Sequence, residues 1–434
     1  MKWLKYRDAY AREIIKGDKK GEVKLLGWIS EKREHKDKIF LMLRDASGYI
    51  QLVASKDLLG ERLFNEVREV GLETAVAVKG KVYDDERAPG GKEIHLTDFK
   101  VIAPSDIWPI TPSALKSPGF LFDMRHLVIR GKRTRSILKI RAELMKAAQE
   151  YFEKHGYVWI QAPTFITSAC EGGATLFEVK YFDTRVFLTQ SAQLYEEAAI
   201  CVFEKVYTIQ PSFRAEKSRT RKHLTEFWHI EAEVAFATHD DIMRVEEEML
   251  TYTIEKIVER CPEELSILKA RIEPPKPPFP RITYDEALDI LKKKGIEIPW
   301  GEDFGAEAER ELSKEFDTPF FVMGFPTISR SFYHMPDPKN PKVTLSSDLM
   351  APDGYGEITS GGERISDYNL LLSRIKEQGL NPEDYKWYLE LRKYGLPPHS
   401  GFGLGVERTL RWLLRLDHIR QACWFPRTPS RIYP

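Results

Sequence analysis

Short apolar runs broken by turn residues mark the first hundred or so positions. Runs rich in Val, Ile and Leu occupy 23–29, 39–44, 50–54, 75–82 and 93–101. The turn signals between them are Ser47-Gly48, Gly60 and Ala88-Pro89-Gly90-Gly91. This pattern predicts five β-strands, with one helix over 61–70 between the third and the fourth. Farther on, Ile137, Ile140, Leu144, Ala148 and Tyr151 keep the three-to-four spacing of a helix with one buried face. Gly156 stops that helix, and 158–160 reads as a strand cut short by Pro163. The stretches 206–215 and 227–237 read as the two strands of a hairpin, 240–260 as a helix, and 401–415 as glycines leading into a helix.

Five short strands and a helix in about a hundred residues suit an OB barrel. Pro104, Pro109, Pro112 and Pro118 resist helix and strand alike, so a linker falls there. The resulting division is 1–104, a linker over 105–125, and 126–434. The five prolines of 273–280 mark a second connector. No regular β-α-β alternation is visible after the linker, so the second domain is expected to be α+β with an antiparallel sheet flanked by helices.

Composition narrows the class. The 434 residues are 42% hydrophobic and 30% charged, and no apolar run reaches the length of a membrane span. The N-terminus lacks the apolar stretch of a signal peptide, so a cytoplasmic protein that stays off membranes is expected. Cys170, Cys201, Cys261 and Cys423 lie far apart without a C-x-x-C pair, which suggests neither a zinc site nor a disulfide framework. Formal net charge is zero, yet 214–223 holds five Lys and Arg residues and one acidic residue. Local positive charge of this kind is enough to meet phosphates.

Three stretches could carry chemistry. Arginines in Phe213-Arg214-Ala215-Glu216 and at Arg221, on a hairpin with a basic loop, can hold phosphates, and Phe227 can stack on a purine. Glycines in Gly401-Phe402-Gly403-Leu404-Gly405-Val406-Glu407-Arg408 let backbone approach a ligand before a helix N-terminus. They serve equally for tight packing under a sheet. Asp348 and Glu357 would hold Mg²⁺ through oxygen if they faced one cleft. Each stretch alone also fits a solvated surface or a packing role.

Together, in this order, they resemble the three signature motifs of class II aminoacyl-tRNA synthetases, in the aspartate/asparagine/lysine subgroup. The long helix and the strand ending at Pro163 resemble the first motif, which in the family builds a homodimer interface. The N-terminal barrel resembles the subgroup's anticodon-binding OB domain, including Phe40-Leu41-Met42-Leu43-Arg44-Asp45 and Gln51. The resemblance covers essentially the whole chain. It implies that Arg214 holds the α-phosphate and the substrate carboxylate, and that Glu216 reads adenine lying between Phe227 and Arg408. It further implies that Arg221, His223 and Arg408 reach the terminal phosphates, with Gly405 and Glu407 at the ATP site. Asp348 and Glu357 would coordinate Mg²⁺. Glu171, Ser191 and Gln193 would surround the amino acid, with Ser360, and Arg364 would hold its side-chain oxygen. Phe40, Gln51 and Glu93 would contact anticodon bases.

Aspartate enzymes of the subgroup carry a lysine directly after the Gln-Leu-Tyr segment. This chain has Glu196 there and Glu197 next. A buried carboxylate repels aspartate but accepts a hydrogen bond from an asparagine NH₂. Asparagine enzymes carry glutamate at the position of Glu197, so amide reading is expected of Glu197. The wide spacing from Asp348 to Glu357 and the segment Phe425-Pro426-Arg427-Thr428-Pro429 also resemble the archaeal asparagine type. The expected substrates are therefore L-asparagine, ATP and tRNA(Asn). Three alternatives stand beside this reading: an aspartate enzyme, including one that charges both tRNAs; an ammonia-dependent asparagine synthetase paralogue; and an inactive RNA-binding paralogue. Retention of Arg214, Glu357 and Arg408 speaks against the last.

Overall fold

The computed structural model describes residue 3 and residues 5–171, 175–217 and 222–434. The chain divides into two compact units, Met1–Leu121 and Phe122–Pro434.

In the first unit, β1 (Glu22–His35), β2 (Lys38–Arg44), β3 (Tyr49–Ser55), β4 (Ala75–Asp84) and β5 (Lys92–Ala103) close a barrel in the order β1-β2-β3-β5-β4. Alternation along the strands sends Leu41, Leu43, Ile50, Leu52, Ile94 and Leu96 inward to one core. Two helices differ from the sequence reading. The six-residue α1 (Ala11–Lys16) is too short to leave a periodic signal. α2 (Lys56–Glu69) begins earlier than expected and is broken at Gly60, whose φ of +71° only glycine adopts cheaply. Gly60 is thus a kink within a helix rather than the turn before one. Phe64 and Val67 on α2 pack into the barrel core. Arg44 and Asp45 have structural work: Arg44 pairs with buried Glu73 at 2.7 Å, and Asp45 accepts the backbone N–H groups of Ser47, Gly48 and Ala11.

Residues 104–112 have neither helix nor strand, but the proline-rich stretch then forms a short 3₁₀ turn (Ala114–Lys116) and a helix beginning at Pro118. Proline is at ease in a first helical turn, where its missing N–H has no partner to lose.

The second unit is built on one eight-stranded sheet among its described residues. Its long helix α3 (Lys132–Lys154) buries the expected Ile137, Ile140, Leu144, Ala148 and Tyr151. Next come β6 (Val158–Trp159), α4 (Gln193–Phe203), β7 (Lys205–Phe213), β8 (Glu226–Ala235) and α5 (His239–Arg260). The Pro-rich connector 273–280 leads to β9 (Arg281–Thr283), β10 (Phe320–Met323), β11 (Ser346–Ala351) and β12 (Gly356–Arg364). α6 (Lys386–Lys393), β13 (His399–Gly405) and α7 (Val406–Leu413) complete the elements that matter here. The sheet order is β9-β10-β11-β12-β13-β8-β7-β6. Its interior is antiparallel, as expected, but β6 joins β7 and β9 joins β10 in parallel, so the sheet is mixed. α3, α5 and α7 cover its apolar face, with Ile140, Ile254, Ile230 and Leu410 in one core. The glycine run read as a lead into a helix is itself the central strand β13. No described helix is long and apolar enough to cross a membrane.

Candidate active site

β8 is the spine of the site. Residues two apart on a strand face the same way, so His229, Glu231 and Glu233 share one face. Their ladder partners on β13 are Gly405, Gly403 and Gly401. On the other side of β13, Ser360 of β12 lies opposite Gly403. A strand with almost no side chains between two that carry them makes a trench, and a cavity opens over it. Glycine at 401 makes room for the Glu233 carboxylate, because a Cβ there would lie 2.1 Å from its carboxyl carbon.

One end of the cavity gathers its basic side chains, set among carboxylates. Arg214, Glu216, Lys222, His223, Phe227, Glu357, Gly405, Glu407 and Arg408 line it. Arg214 lies 5.5 Å from the Phe227 ring centroid, and Arg408 pairs with Glu357 at 2.8 Å. Burial would raise the Glu357 carboxyl, but Arg408, Lys222, Arg330 and Arg214 together hold it at about 2. Glu357 is therefore ionised. Burial, with Arg408 and Lys222, lowers His223 to about 4 despite Glu216, so near neutrality it offers a hydrogen bond rather than a charge.

Asp348 stands behind this end and is not among the lining residues. Arg330 donates to its Oδ2 at 2.6 Å, while Oδ1 is buried with no protein partner. Burial pushes its carboxyl up to about 7, with Glu357 adding to the rise and Arg330 opposing it. An orphaned buried oxygen next to an ionised carboxylate fits a divalent cation. Among the described residues no group of three or more His, Cys, Asp or Glu side chains is arranged to hold a metal alone. Mg²⁺ commonly takes one or two carboxylates and completes its shell with water and substrate phosphates, which this pair suits.

The other end is rich in carboxylates. Tyr333 donates its hydroxyl to Glu171, and Gln190 fixes the Glu171 backbone through two hydrogen bonds of 2.9 Å. Ser191 donates to Glu231 Oε1 and the Ala192 N–H to Oε2 at 2.8 Å. Arg364 donates Nε and Nη2 to Glu233 Oε1 at 2.9 and 2.7 Å, leaving Glu233 Oε2 buried without a protein partner. Burial would lower Arg364, but Glu233, Tyr333 and Glu197 hold it raised and charged.

Most expected residues of this unit converge on the one cavity: Glu171, Ser191, Gln193, Arg214, Glu216, His223, Phe227, Glu357, Ser360, Arg364, Gly405, Glu407 and Arg408. Four expectations need correction or remain outside, the first being Asp348, which stands behind the cavity rather than in its lining. Glu197 does not line the cavity. It is fully buried behind it and is taken up by Gln193, Tyr388 and Arg392, whereas the neighbour set aside for it, Glu196, faces the cavity with Oε1 unpartnered. The turn of α4 that brings Gln193 and Glu196 to the cavity rotates Glu197 away. Glu407 lines the cavity, but its carboxylate braces the fold: Oε2 accepts the Trp228 N–H at 3.0 Å and Oε1 pairs with Arg141 of α3 at 2.7 Å. Arg221 lies outside the described residues.

Glu231, Glu233, His229, Lys222 and Tyr333 were not foreseen. For the first three a signal existed, since His229, Glu231 and Glu233 alternate along a strand whose intervening residues are apolar. Tyr333 arrives from a distant loop and leaves none.

In the first unit, Phe40, Gln51 and Glu93 share the outer face of the barrel through the register of β2, β3 and β5. Gln51 Nε2 donates to Glu93 Oε2 at 2.8 Å, and His95 holds Glu93 Oε1 at 2.8 Å.

Comparison with known proteins agrees with this geometry. Residues 117–429 match the family described as tRNA synthetases class II (D, K and N), and residues 23–102 match the OB-fold nucleic acid binding domain. The chain is 50% identical over 424 residues to the asparagine–tRNA ligase of Thermococcus gammatolerans, covering 97% of this chain and 98% of that one. Its structure is similar to that of asparaginyl-tRNA synthetase from Pyrococcus horikoshii complexed with asparaginyl-adenylate, with a TM-score of 0.94, 48% identity and coverage of 98% and 99%. It resembles less closely an aspartyl-tRNA synthetase from Entamoeba histolytica, with a TM-score of 0.84, 26% identity and coverage of 98% and 92%.

Proposed function

The chain belongs to the class II tRNA synthetases of the D, K and N group, and from that premise we infer that it is an asparagine–tRNA ligase, which activates L-asparagine with ATP and passes it to tRNA(Asn). The observation that carries the choice of amino acid is the Arg364–Glu233 pair. It offers a cationic donor edge beside one open acceptor, Glu233 Oε2. A carboxamide matches it, with C=O toward Arg364 and NH₂ toward Glu233. A carboxylate would set like charge against Glu233 in a buried site.

The chemistry then follows from the two ends of the trench. Glu171, Gln193 and Glu231 take the substrate ammonium, and Ser191 keeps Glu231 in place. Ser360 stands over the glycine floor between the two ends. The asparagine carboxylate attacks the α-phosphorus of ATP. Its new bond to phosphorus forms as the bond to pyrophosphate breaks. Arg214 stabilises the negative charge gathering on the phosphoryl oxygens. Adenine lies between Phe227 and Arg408, with Glu216 reading its edge, and His223 donates toward the terminal phosphates. Asp348 and Glu357 would hold Mg²⁺, which supplies charge neutralisation on the phosphates when bound. A ribose hydroxyl at the tRNA end next attacks the acyl carbon and AMP leaves. No side chain acts as a nucleophile; positioning and fixed charge supply the rate.

Phe40 stacking and the Gln51–Glu93 pair provide base contacts for the anticodon. A homodimer is supported by the sheet edge at β6, where Trp159 is half exposed beside a groove lined by Met145, Ile209, Trp228 and Trp424. Four free thiols fit the cytoplasm, where ATP and tRNA meet. The test is ATP–pyrophosphate exchange with Mg²⁺, comparing asparagine with aspartate. Exchange that depends on asparagine is expected, and exchange with aspartate at comparable efficiency would overturn the choice of amino acid.

A further inference from the structure

We propose that Glu197 is a positioning residue for the amino-acid site, fixing which end of the Gln193 amide meets the substrate. It never touches the substrate itself. Gln193 lines the cavity and donates Nε2 to Glu197 Oε1 at 3.0 Å. A carboxylate can only accept hydrogen bonds, so it can bind only the nitrogen end of an amide. The carbonyl end of Gln193, an acceptor, is thereby the end left for a cationic ligand. Without Glu197 the amide could turn over and present two N–H donors to an ammonium.

Glu197 is itself held on every side. Tyr388 Oη donates to it at 2.7 and 2.8 Å, Arg392 Nη2 at 2.5 Å, and His399 Nε2 stands 3.0 Å away. The Glu197, Arg392 and His399 side chains are wholly shielded from solvent. A fully buried ion pair seldom stabilises a fold better than apolar residues of the same volume would, and setting a unique geometry is its better-attested use. The same cluster reaches the opposite wall. Arg392 Nε donates at 3.0 Å to the carbonyl of Ile365, directly after Arg364, and His399 is the ladder partner of Arg364. One carboxylate therefore sets the Gln193 amide and is tied to the strand end that carries Arg364.

The proposal rests on the cavity being the amino-acid site. The experiment is pyrophosphate exchange on the full chain in a double-mutant cycle of Glu197→Gln and Gln193→Ala. Glu197→Gln alone is expected to raise the asparagine KM about tenfold or more and to leave the ATP KM within about twofold. In the Gln193→Ala background the same change should have little further effect, because the amide it orients is gone. An undiminished effect in that background, or equal rises in both KM values, overturns the proposal. Tyr388→Phe removes one donor from Glu197, together with the oxygen that accepts Arg392 Nη2 at 2.9 Å, and leaves the carboxylate and its ion pair in place, which guards against a Glu197→Gln protein that does not fold. It should raise the asparagine KM in the same selective way, and an unchanged KM also overturns the proposal. Failure of the functional reading looks different: the unmodified protein would then show no asparagine-dependent exchange at all.

Discussion

Glu231 makes the pocket sensitive to acidity. Burial and the charge of Glu171 push its carboxyl up to about 7, against the hydrogen bonds from Ser191 and Ala192. An ammonium binds the ionised form, so falling pH removes the counter-charge. The asparagine KM should climb below neutrality, approaching about one decade per pH unit, and stay level above it. Steady-state kinetics across the range will show the bend, and Glu231→Gln should erase it while raising KM throughout. Glu233→Gln tests the neighbouring position. With the amide carbonyl taken by Arg364, the open position then carries a neutral NH₂ that no longer repels aspartate. The ratio of kcat/KM for asparagine over aspartate should fall by about tenfold to a hundredfold, in line with about 1.5–3 kcal/mol for a charged hydrogen bond. An unchanged ratio would move amide reading to Glu196.

At the scale of elements, Glu407 joins three of them, since α7 carries it, β8 supplies the Trp228 N–H and α3 supplies Arg141. Glu407→Ala strands a buried guanidinium and should cost about 3–5 kcal/mol. Denaturant unfolding followed by tryptophan fluorescence will show a lower midpoint, and a midpoint like that of the unmodified protein would refute the bracing role. The sequence made the elements of the sheet readable where apolar residues alternate, as in β7 and β8, or recur with helical period, as in α3. It did not reveal β13 as a strand, because Gly401, Gly403 and Gly405 remove the alternation on which strand patterns depend. Nor did it separate Glu196 from Glu197. Adjacent residues on a helix differ by about 100° of rotation, and only the packing of α4 decides which one faces the cavity.

For the molecule as a whole, the proposed function has the two units meet two parts of one RNA substrate, and zero net charge leaves that binding to local features. Phe40→Ala should weaken tRNA binding by about 1–3 kcal/mol, read as roughly a tenfold to hundredfold rise in the tRNA KM for aminoacylation. A tRNA KM that does not move would remove Phe40 from the anticodon contacts. Trp159→Asp places a charge at the sheet edge. Sedimentation should report a dimer for the unmodified chain and a monomer for this variant.

The trench over β13 also behaves as a ruler. His229, Glu231 and Glu233 fall at every second residue, about 6.8 Å apart along β8. In the proposed function, reading down the strand therefore reads along an extended ligand from nucleotide to side chain. What is stored there is parity as much as chemistry. Inserting one residue between 229 and 233 would keep every functional group, yet turn part of the set to the far face of the sheet. An insertion of the same size in the basic loop before β8 leaves the count intact. Insertions in related sequences should accordingly be tolerated in loops that do not line the cavity and forbidden in the strand, a frameshift rule written in geometry.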